Sequence, residues 1–153
     1  LFSMPVDMGA KFNKKPLFGK NKTWRGLLCA VLAGALVGVF QMYIARIFAV
    51  DFTKFINFDY QSYLTIFLGS VLGLGAILGD LVESFFKRQF GIKSGKSWFP
   101  FDQLDYIVGA CLLSSPLVIL SVKLYVMIII VWFLMHIIFS YLGYLVRLKK
   151  QPI

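Results

Sequence analysis

The sequence predicts an all-α polytopic transmembrane helical bundle with four spans in this chain. Three observations predict it. Of 153 residues, 59% are hydrophobic and the mean hydropathy is +0.78, whereas soluble domains sit near ~45–50% apolar. Four long apolar stretches recur along the chain, each near the ~20 residues that cross ~30 Å of hydrocarbon. Alternation of period two is absent, so helices rather than the strands of a closed barrel are the spanning elements.

The first stretch runs from about Leu27 to Ala45 and the second from about Tyr63 to Leu78, continuing as helix towards Phe86. The third covers roughly Tyr106 to Val122 and the fourth Leu124 to Val146, so these two are expected to form a tight antiparallel hairpin around Lys123. Within the second span, Gly69-xxx-Gly73 and Gly75-xxx-Gly79 permit close helix approach, which would hold Asp80 at a rigid position. Cys29 and Cys111 fall inside apolar runs and read as small packing residues, not as a disulfide or zinc ligands. No basic segment followed by an apolar run and a small-residue cleavage site is found, so no signal peptide is expected.

Charge gives orientation. Of 16 Lys and Arg residues, 13 lie in the segments Lys11–Arg25, Lys87–Lys96 and Arg147–Lys150, and the remaining three are Arg46, Lys54 and Lys123. With four spans the three basic segments share one face, which the positive-inside rule makes cytoplasmic. The net charge of +9 is thus expected to serve anionic headgroups and an anionic substrate rather than nucleic acid. The whole chain reads as one membrane-embedded domain, residues 1–153. Residues 1–26 form a cytoplasmic N-terminal segment and residues 79–105 a cytoplasmic catalytic loop region.

That region, GDLVESFFKRQFGIKSGKSWFPFDQLD, carries the chemistry. Asp80, Glu83, Ser84 and Lys87 share a helix face. Carboxylates at a membrane boundary are functional candidates, against the plainer reading of a local acid–lysine helix pair. Asp102 and Asp105 follow a basic, glycine-containing loop (Lys93, Gly95, Lys96), just before the third span. Carboxylates from two helix ends beside such a loop suit Mg²⁺, which takes carboxylates and substrate phosphates as ligands. Lys87, Arg88, Lys93 and Lys96 would neutralise those phosphates. A third element, Phe18 to Gly26 (FGKNKTWRG), offers Gly19 for a tight turn, with Lys22, Thr23 and the amides of the next helix for an anion. Its plainer reading is a basic flank with a helix cap at Asn21 or Thr23.

Together these residues resemble the membrane-bound CTP-dependent phospholipid cytidylyltransferases, which include CDP-diacylglycerol synthase and its archaeal relative, the CDP-archaeol synthase family. Ser70 lies nine positions before Gly79, and Asp80, Glu83, Ser84, Lys87 and Arg88 follow in register. Asp102-Gln103-Leu104-Asp105 stands where the signature's closing Asp-Arg-x-Asp would be. The short loop around Pro100-Phe101, the DQLD ending and the MPVDMG stretch (Met4–Gly9) are closer to the archaeol branch. Glu83-Ser84 is similar to the diacylglycerol branch. The FGKNKTWRG element is similar to a Lys-Thr-x-x-Gly motif of both. The resemblance implies five spans, so a further helix is expected ahead of MPVDMG, with Leu1 and Phe2 as its remnant.

The resemblance also implies the reaction: CTP and a phosphatidate-like lipid, 2,3-di-O-geranylgeranylglyceryl phosphate by preference, give the CDP-lipid and pyrophosphate. Phosphatidic acid is the alternative lipid. It further implies roles. Asp80 and Asp102 would hold one or two Mg²⁺ ions, with Asp105 as a further ligand or support. Lys87, Arg88 and Lys93 would bind the triphosphate, and Lys22, Thr23 and Gly26 would cover the nucleotide. Asp7, Ser70, Glu83 and Ser84 are assigned to the lipid headgroup or to support. The partners expected are CTP, the lipid and the bilayer, with room for a homodimer. A small transporter is the competing class, but the spans carry almost no mid-depth charge, His136 being the one titratable candidate. A lipid-binding scaffold would account for the lysines and not for the four carboxylates.

Overall fold

The computed structural model describes residues 4–49, 53, 56 and 58–148. Lys54, Lys149, Lys150 and the expected helix remnant at Leu1 and Phe2 therefore lie outside the described residues. The chain order is β1 (Lys11–Phe12), β2 (Lys15–Pro16), α1 (Trp24–Ile47), α2 (Leu64–Gln89), α3 (Phe101–Ser114) and α4 (Val122–Leu145).

α1 begins where Thr23, in extended backbone, accepts the Gly26 amide on its hydroxyl, so the cap falls at Thr23 and not at Asn21. α2 runs unbroken from Leu64 to Gln89 and ends on Lys87 and Arg88, cations that complement a helix C-terminus. α1, α2 and α4 are, among the described residues, long and apolar enough to cross a membrane. Large apolar side chains such as Leu36, Phe40, Val131 and Phe139 project outward from them.

The third expected span is corrected. α3 has 14 residues, beginning at Phe101 and ending at Ser114, so at ~1.5 Å per residue it is ~21 Å long and falls short of the hydrocarbon thickness. Pro116 cannot donate a helical hydrogen bond, and the apolar run beyond it forms turns bonded back to Ser114. The expected hairpin around Lys123 is corrected as well. Ser121 caps α4, which places Lys123 inside that helix and leaves residues 115–121 as the connection. Because α3 starts early, Asp102 and Asp105 sit on its first two turns rather than ahead of it. Cys29 is exposed and Cys111 half-buried, so Cys29 is not the packing residue expected.

Successive helices run antiparallel, and backbone contact sets the spacing of the first three. A Cβ on Gly69 would collide with the carbonyl of Gly34 on α1, and one on Gly79 with the carbonyl of Asp105 on α3. In lipid, where no water is expelled between apolar helices, such close packing is a main source of association. α4 is attached more loosely, through Tyr125 to the Val118 carbonyl and through Tyr106 to His136 and Trp132.

An N-terminal strap, invisible to hydropathy, crosses one end of the bundle. β1 and β2 form a hairpin whose turn residues Asn13 and Lys14 both adopt left-handed φ values, +48° and +63°, the geometry of a two-residue hairpin turn. Phe12 packs on Phe85 with ring centroids 5.9 Å apart. Lys15 donates to the Gln89 carbonyl at 2.5 Å, tying the hairpin to the end of α2. Pro5 bridges Thr23, and the Val6 amide donates to the Lys22 carbonyl at 2.7 Å.

Replacing Gly79 with leucine is expected to force α2 and α3 apart. Overpacking of this kind costs ~1–3 kcal/mol, which a lowered thermal midpoint of the detergent-solubilised protein would register. An unchanged midpoint would refute the close approach.

Candidate functional site

The site lies at the end of the bundle where the strap, α2 and the start of α3 converge. Its polar cleft has a volume of about 270 Å³ and is lined by residues that include Lys22, Asp80, Glu83, Lys87, Asp102 and Asp105. α2 supplies Asp80, Glu83, Ser84, Lys87 and Arg88, and Glu83, Ser84 and Lys87 are buried. The contact of Gly79 with the Asp105 carbonyl brings α3 against this face, so carboxylates 25 residues apart in sequence become neighbours.

One carboxylate oxygen each from Asp80, Glu83 and Asp105 lie within 4.8 Å of one another. Two lysines offset the crowding. Lys22 places its Nζ 2.5 Å from both oxygens of Asp80. Lys87 places its Nζ 2.6 Å from Asp102 and 3.4 Å from Glu83. The second Asp102 oxygen accepts the Trp98 amide at 2.8 Å, and Asp105 accepts the Tyr106 amide at 2.7 Å. Three hard oxygen donors at this separation fit a divalent cation. This trio joins Asp80 and Asp105, expected as metal ligands, with Glu83, which was assigned to the headgroup or support. Asp102 stands one step away, paired with Lys87.

Lys22 reaches Asp80 across 58 residues because the strap holds it there. Its carbonyl and amide are bonded to Val6 and Gly19. Asp7 fixes the same turn: its carboxylate accepts the amides of Gly9 at 3.0 Å, Phe18 at 3.1 Å and Gly19 at 3.2 Å. Burial opposes the Asp7 charge, but those amides prevail and hold its carboxyl below the ordinary value of 3.8. Gly19 has a φ of +98°, and a Cβ there would sit 3.8 Å from Arg88 Nε, so the turn lies directly on Arg88.

The other expected residues fall around this centre. Thr23 and Gly26 border a recess of about 90 Å³ beside Lys22 and Asp80. Their mutual hydrogen bond is the helix cap. Lys93 lines an adjoining cavity together with Arg88. Ser70 bonds the Ile66 carbonyl one turn back, nine positions before Gly79, and does not line the cleft. Asn21 and Ser94 were not singled out as site residues. Their side chains bond at 3.2 Å and bridge the strap to the basic loop over the cleft. The clue was Asn21's place inside FGKNKTWRG, where it was weighed only as a cap.

A wide apolar groove of about 960 Å³ runs between α2 and α3 beside the cleft. Val82, Phe86, Phe101, Leu104, Val108 and Leu112 line it, and it shares Glu83 and Asp105 with the cleft.

A helical bundle with this polar centre at one end of its apolar helices is an intramembrane enzyme built for a phosphate-bearing lipid. The comparisons make that class specific. A family model described as CDP-archaeol synthase, CarS-like, matches residues 2–153. A CDP-archaeol synthase from Methanospirillum hungatei is 36% identical over 97% of this chain and 89% of its own length. Another from Methanoregula boonei is 33% identical over 97% of this chain and 88% of its own. A solved structure of an intramembrane enzyme for archaeal membrane lipid biosynthesis superimposes with a TM-score of 0.70 at 30% identity, covering 88% of this chain and 77% of that one. The chain belongs to the CDP-archaeol synthase family, and with it to the CTP-dependent lipid cytidylyltransferases.

Replacing one of the two Asp7 acceptor oxygens with an NH2 group that faces backbone amides is expected to loosen the strap. Asp7→Asn should lower stability by ~1–3 kcal/mol. A carboxyl whose folded pKa is depressed contributes fully above the unfolded value and is lost only as pH falls through the lower, folded one. The gap between Asp7→Asn and the parent should therefore be constant from pH 5 to 8 and close only below 3.8. Thermal unfolding across that range measures it, and a gap that closes nearer neutrality would contradict the assignment.

Proposed function

We propose that this chain catalyses attack of a lipid phosphate on the α-phosphorus of CTP, with 2,3-di-O-geranylgeranylglyceryl phosphate as the lipid. One oxygen of the lipid phosphate forms the new P–O bond, the bond from the α-phosphorus to the bridging oxygen breaks, and pyrophosphate leaves with that electron pair. The product is CDP-archaeol in its unsaturated form. The observation that carries this reading is the junction of the apolar groove with the polar cleft at Glu83 and Asp105. A lipid headgroup and a nucleotide can meet only at such a place.

A lipid phosphate is already ionised at neutral pH, so the site needs no base. Its work is to bring two polyanions into line and screen their repulsion. Lys22 and Lys87 present ammonium groups into the cleft, and Arg88 adds a guanidinium at its edge. Asp80, Glu83 and Asp105 are the residues that would hold Mg²⁺. Asp102 orients Lys87 and holds the Trp98 amide at the start of α3. When bound, Mg²⁺ would supply charge neutralisation to the phosphates. Asn21 and Ser94, by bridging strap to loop, would cover the nucleotide from the open side.

The two basic segments at the site end of the bundle, Lys11–Arg25 and Lys87–Lys96, support a cytoplasmic site in the cell membrane. Lys22 and Lys87 lie within the site, at the ends of apolar helices whose outer faces carry exposed leucine, valine and phenylalanine. CTP is a soluble nucleotide, which agrees with that face.

Purified protein with CTP and Mg²⁺ should release pyrophosphate on the di-geranylgeranyl lipid faster than on phosphatidic acid. Asp80→Asn and Asp105→Asn should each lower turnover by about 10²–10³-fold, the scale of removing one group that stabilises transition-state charge. EDTA should abolish it. Faster turnover on phosphatidic acid would reassign the lipid, and full activity in either variant would remove that carboxylate from the site.

A further inference from the structure

The two lysines of the cleft are held in different ways, and the difference has a consequence for cation binding. Lys87 makes its shorter contact, 2.6 Å, with Asp102, which lies outside the carboxylate trio, and its longer one, 3.4 Å, with Glu83. Lys22 is salt-bridged, among the described residues, to Asp80, a member of the trio. Its Nζ is 2.5 Å from both oxygens of that carboxylate. Whichever Asp80 oxygen faces Glu83 and Asp105, the Lys22 ammonium is already bonded to it.

An ammonium and a divalent cation compete for such a carboxylate. Mg²⁺ takes its oxygen ligands at ~2.0–2.1 Å, so an ammonium hydrogen-bonded to the same two oxygens would stand beside it and repel it. Lys22 is also built to leave. Its backbone is fixed, the carbonyl by Val6 and the amide by Gly19. Its side chain has a flexible stem, so the charged end can swing while the strap stays in place. Two spaces are open to that end, because Lys22 lines both the polar cleft and the smaller recess beside Thr23 and Gly26. Lys87 is buried and held from α3 by Asp102, so it stays where it is.

Resting on the reading of Asp80, Glu83 and Asp105 as metal ligands, we infer that Lys22 is a built-in counter-cation of that site, exchanged for the divalent ion when the ion binds. Before the exchange its ammonium neutralises Asp80 and relieves the repulsion within the trio. The exchange releases the ammonium into the cleft, while Lys87 keeps Asp102. Strap and carboxylates are thereby interlocked, and the coupling is reciprocal. A cation at the carboxylates frees a lysine, and a lysine on Asp80 weakens the hold on the cation. An anion that takes up the freed ammonium tightens the cation in turn.

The test measures binding of Mn²⁺, a paramagnetic substitute for Mg²⁺, to the purified protein without nucleotide or lipid, by electron paramagnetic resonance. Lys22→Gln is expected to bind Mn²⁺ about tenfold more tightly than the parent, the scale of one charge contact removed. Lys20→Gln removes the same charge from an exposed position on the strap. Solvent and salt screen that position, so its affinity should stay within about twofold of the parent. Amine-reactive labelling read by mass spectrometry follows the exchange in the unaltered chain. Labelling of Lys22 relative to Lys20 should rise several-fold when Mg²⁺ is added, and in Asp80→Asn it should be high with or without Mg²⁺. Equal or weaker Mn²⁺ binding by folded Lys22→Gln overturns the inference, as does an equal gain in Lys20→Gln or Lys22 labelling that Mg²⁺ leaves unchanged. Neither measurement uses turnover. Exchange in a protein that makes no CDP-lipid would sustain the interlock and sink the proposed reaction, whereas turnover in a protein that shows no exchange would do the reverse.

Discussion

The contact between Gly79 and the Asp105 carbonyl is the constraint on which the site depends. Two backbones can approach this closely only where no Cβ intervenes, and the same face of α2 repeats the arrangement at Gly75 against Gly109. Lipid offers a polar backbone no partner, so helices are obligatory here. Small residues then decide which helices touch. Here they decide chemistry as well. Gly79 immediately precedes Asp80, so the step that seats α3 on α2 also brings the Asp80 and Asp105 carboxylates together, with Glu83 one turn further along.

Gathering three carboxylates at a membrane boundary is unfavourable until cations arrive. The fold supplies them from two directions. Lys87 comes from α2 itself, one turn beyond Glu83, and is fixed by Asp102 on α3. Lys22 comes from the strap, whose position depends on Pro5, Val6 and the Asp7 carboxylate. The strap therefore serves as structure and as part of the site at once. Removing Asp7 acts on Lys22, and through it on Asp80, although Asp7 does not line the cleft.

The long spans were legible because hydropathy and length are local properties of a sequence. The carboxylates were legible because an acidic pair at the end of an apolar helix contradicts the basic flank that solvation alone would place there. α3 was misplaced because its apolar run continues through Pro116, and hydropathy does not weigh a missing amide. The hairpin at Lys11–Pro16 was missed because its turn, Asn13-Lys14, lacks the glycine that usually announces the left-handed pair. The pairing of Lys22 with Asp80 and the place of Glu83 beside Asp105 were not readable at all. Both depend on which turn of one helix faces which turn of another, and a register between helices leaves no trace in the spacing along either one.

The composition of the centre also explains what it lacks. His136, the single histidine, lies on α4 and bonds the Tyr106 hydroxyl at 2.6 Å, away from the residues that line the cleft. An enzyme that had to deprotonate an alcohol would need a base within hydrogen-bond reach of it. A phosphate monoester has a second pKa near ~6, so at neutral pH it arrives as its own nucleophile, and a base would add nothing. What remains difficult is electrostatic: two anions must approach and one must leave. On the proposed reading the groups assembled here, carboxylates that would hold a cation and lysines and an arginine that would face phosphates, answer that difficulty. Their placement where an apolar groove meets a polar cleft restricts the nucleophile to an anion that carries a hydrocarbon tail.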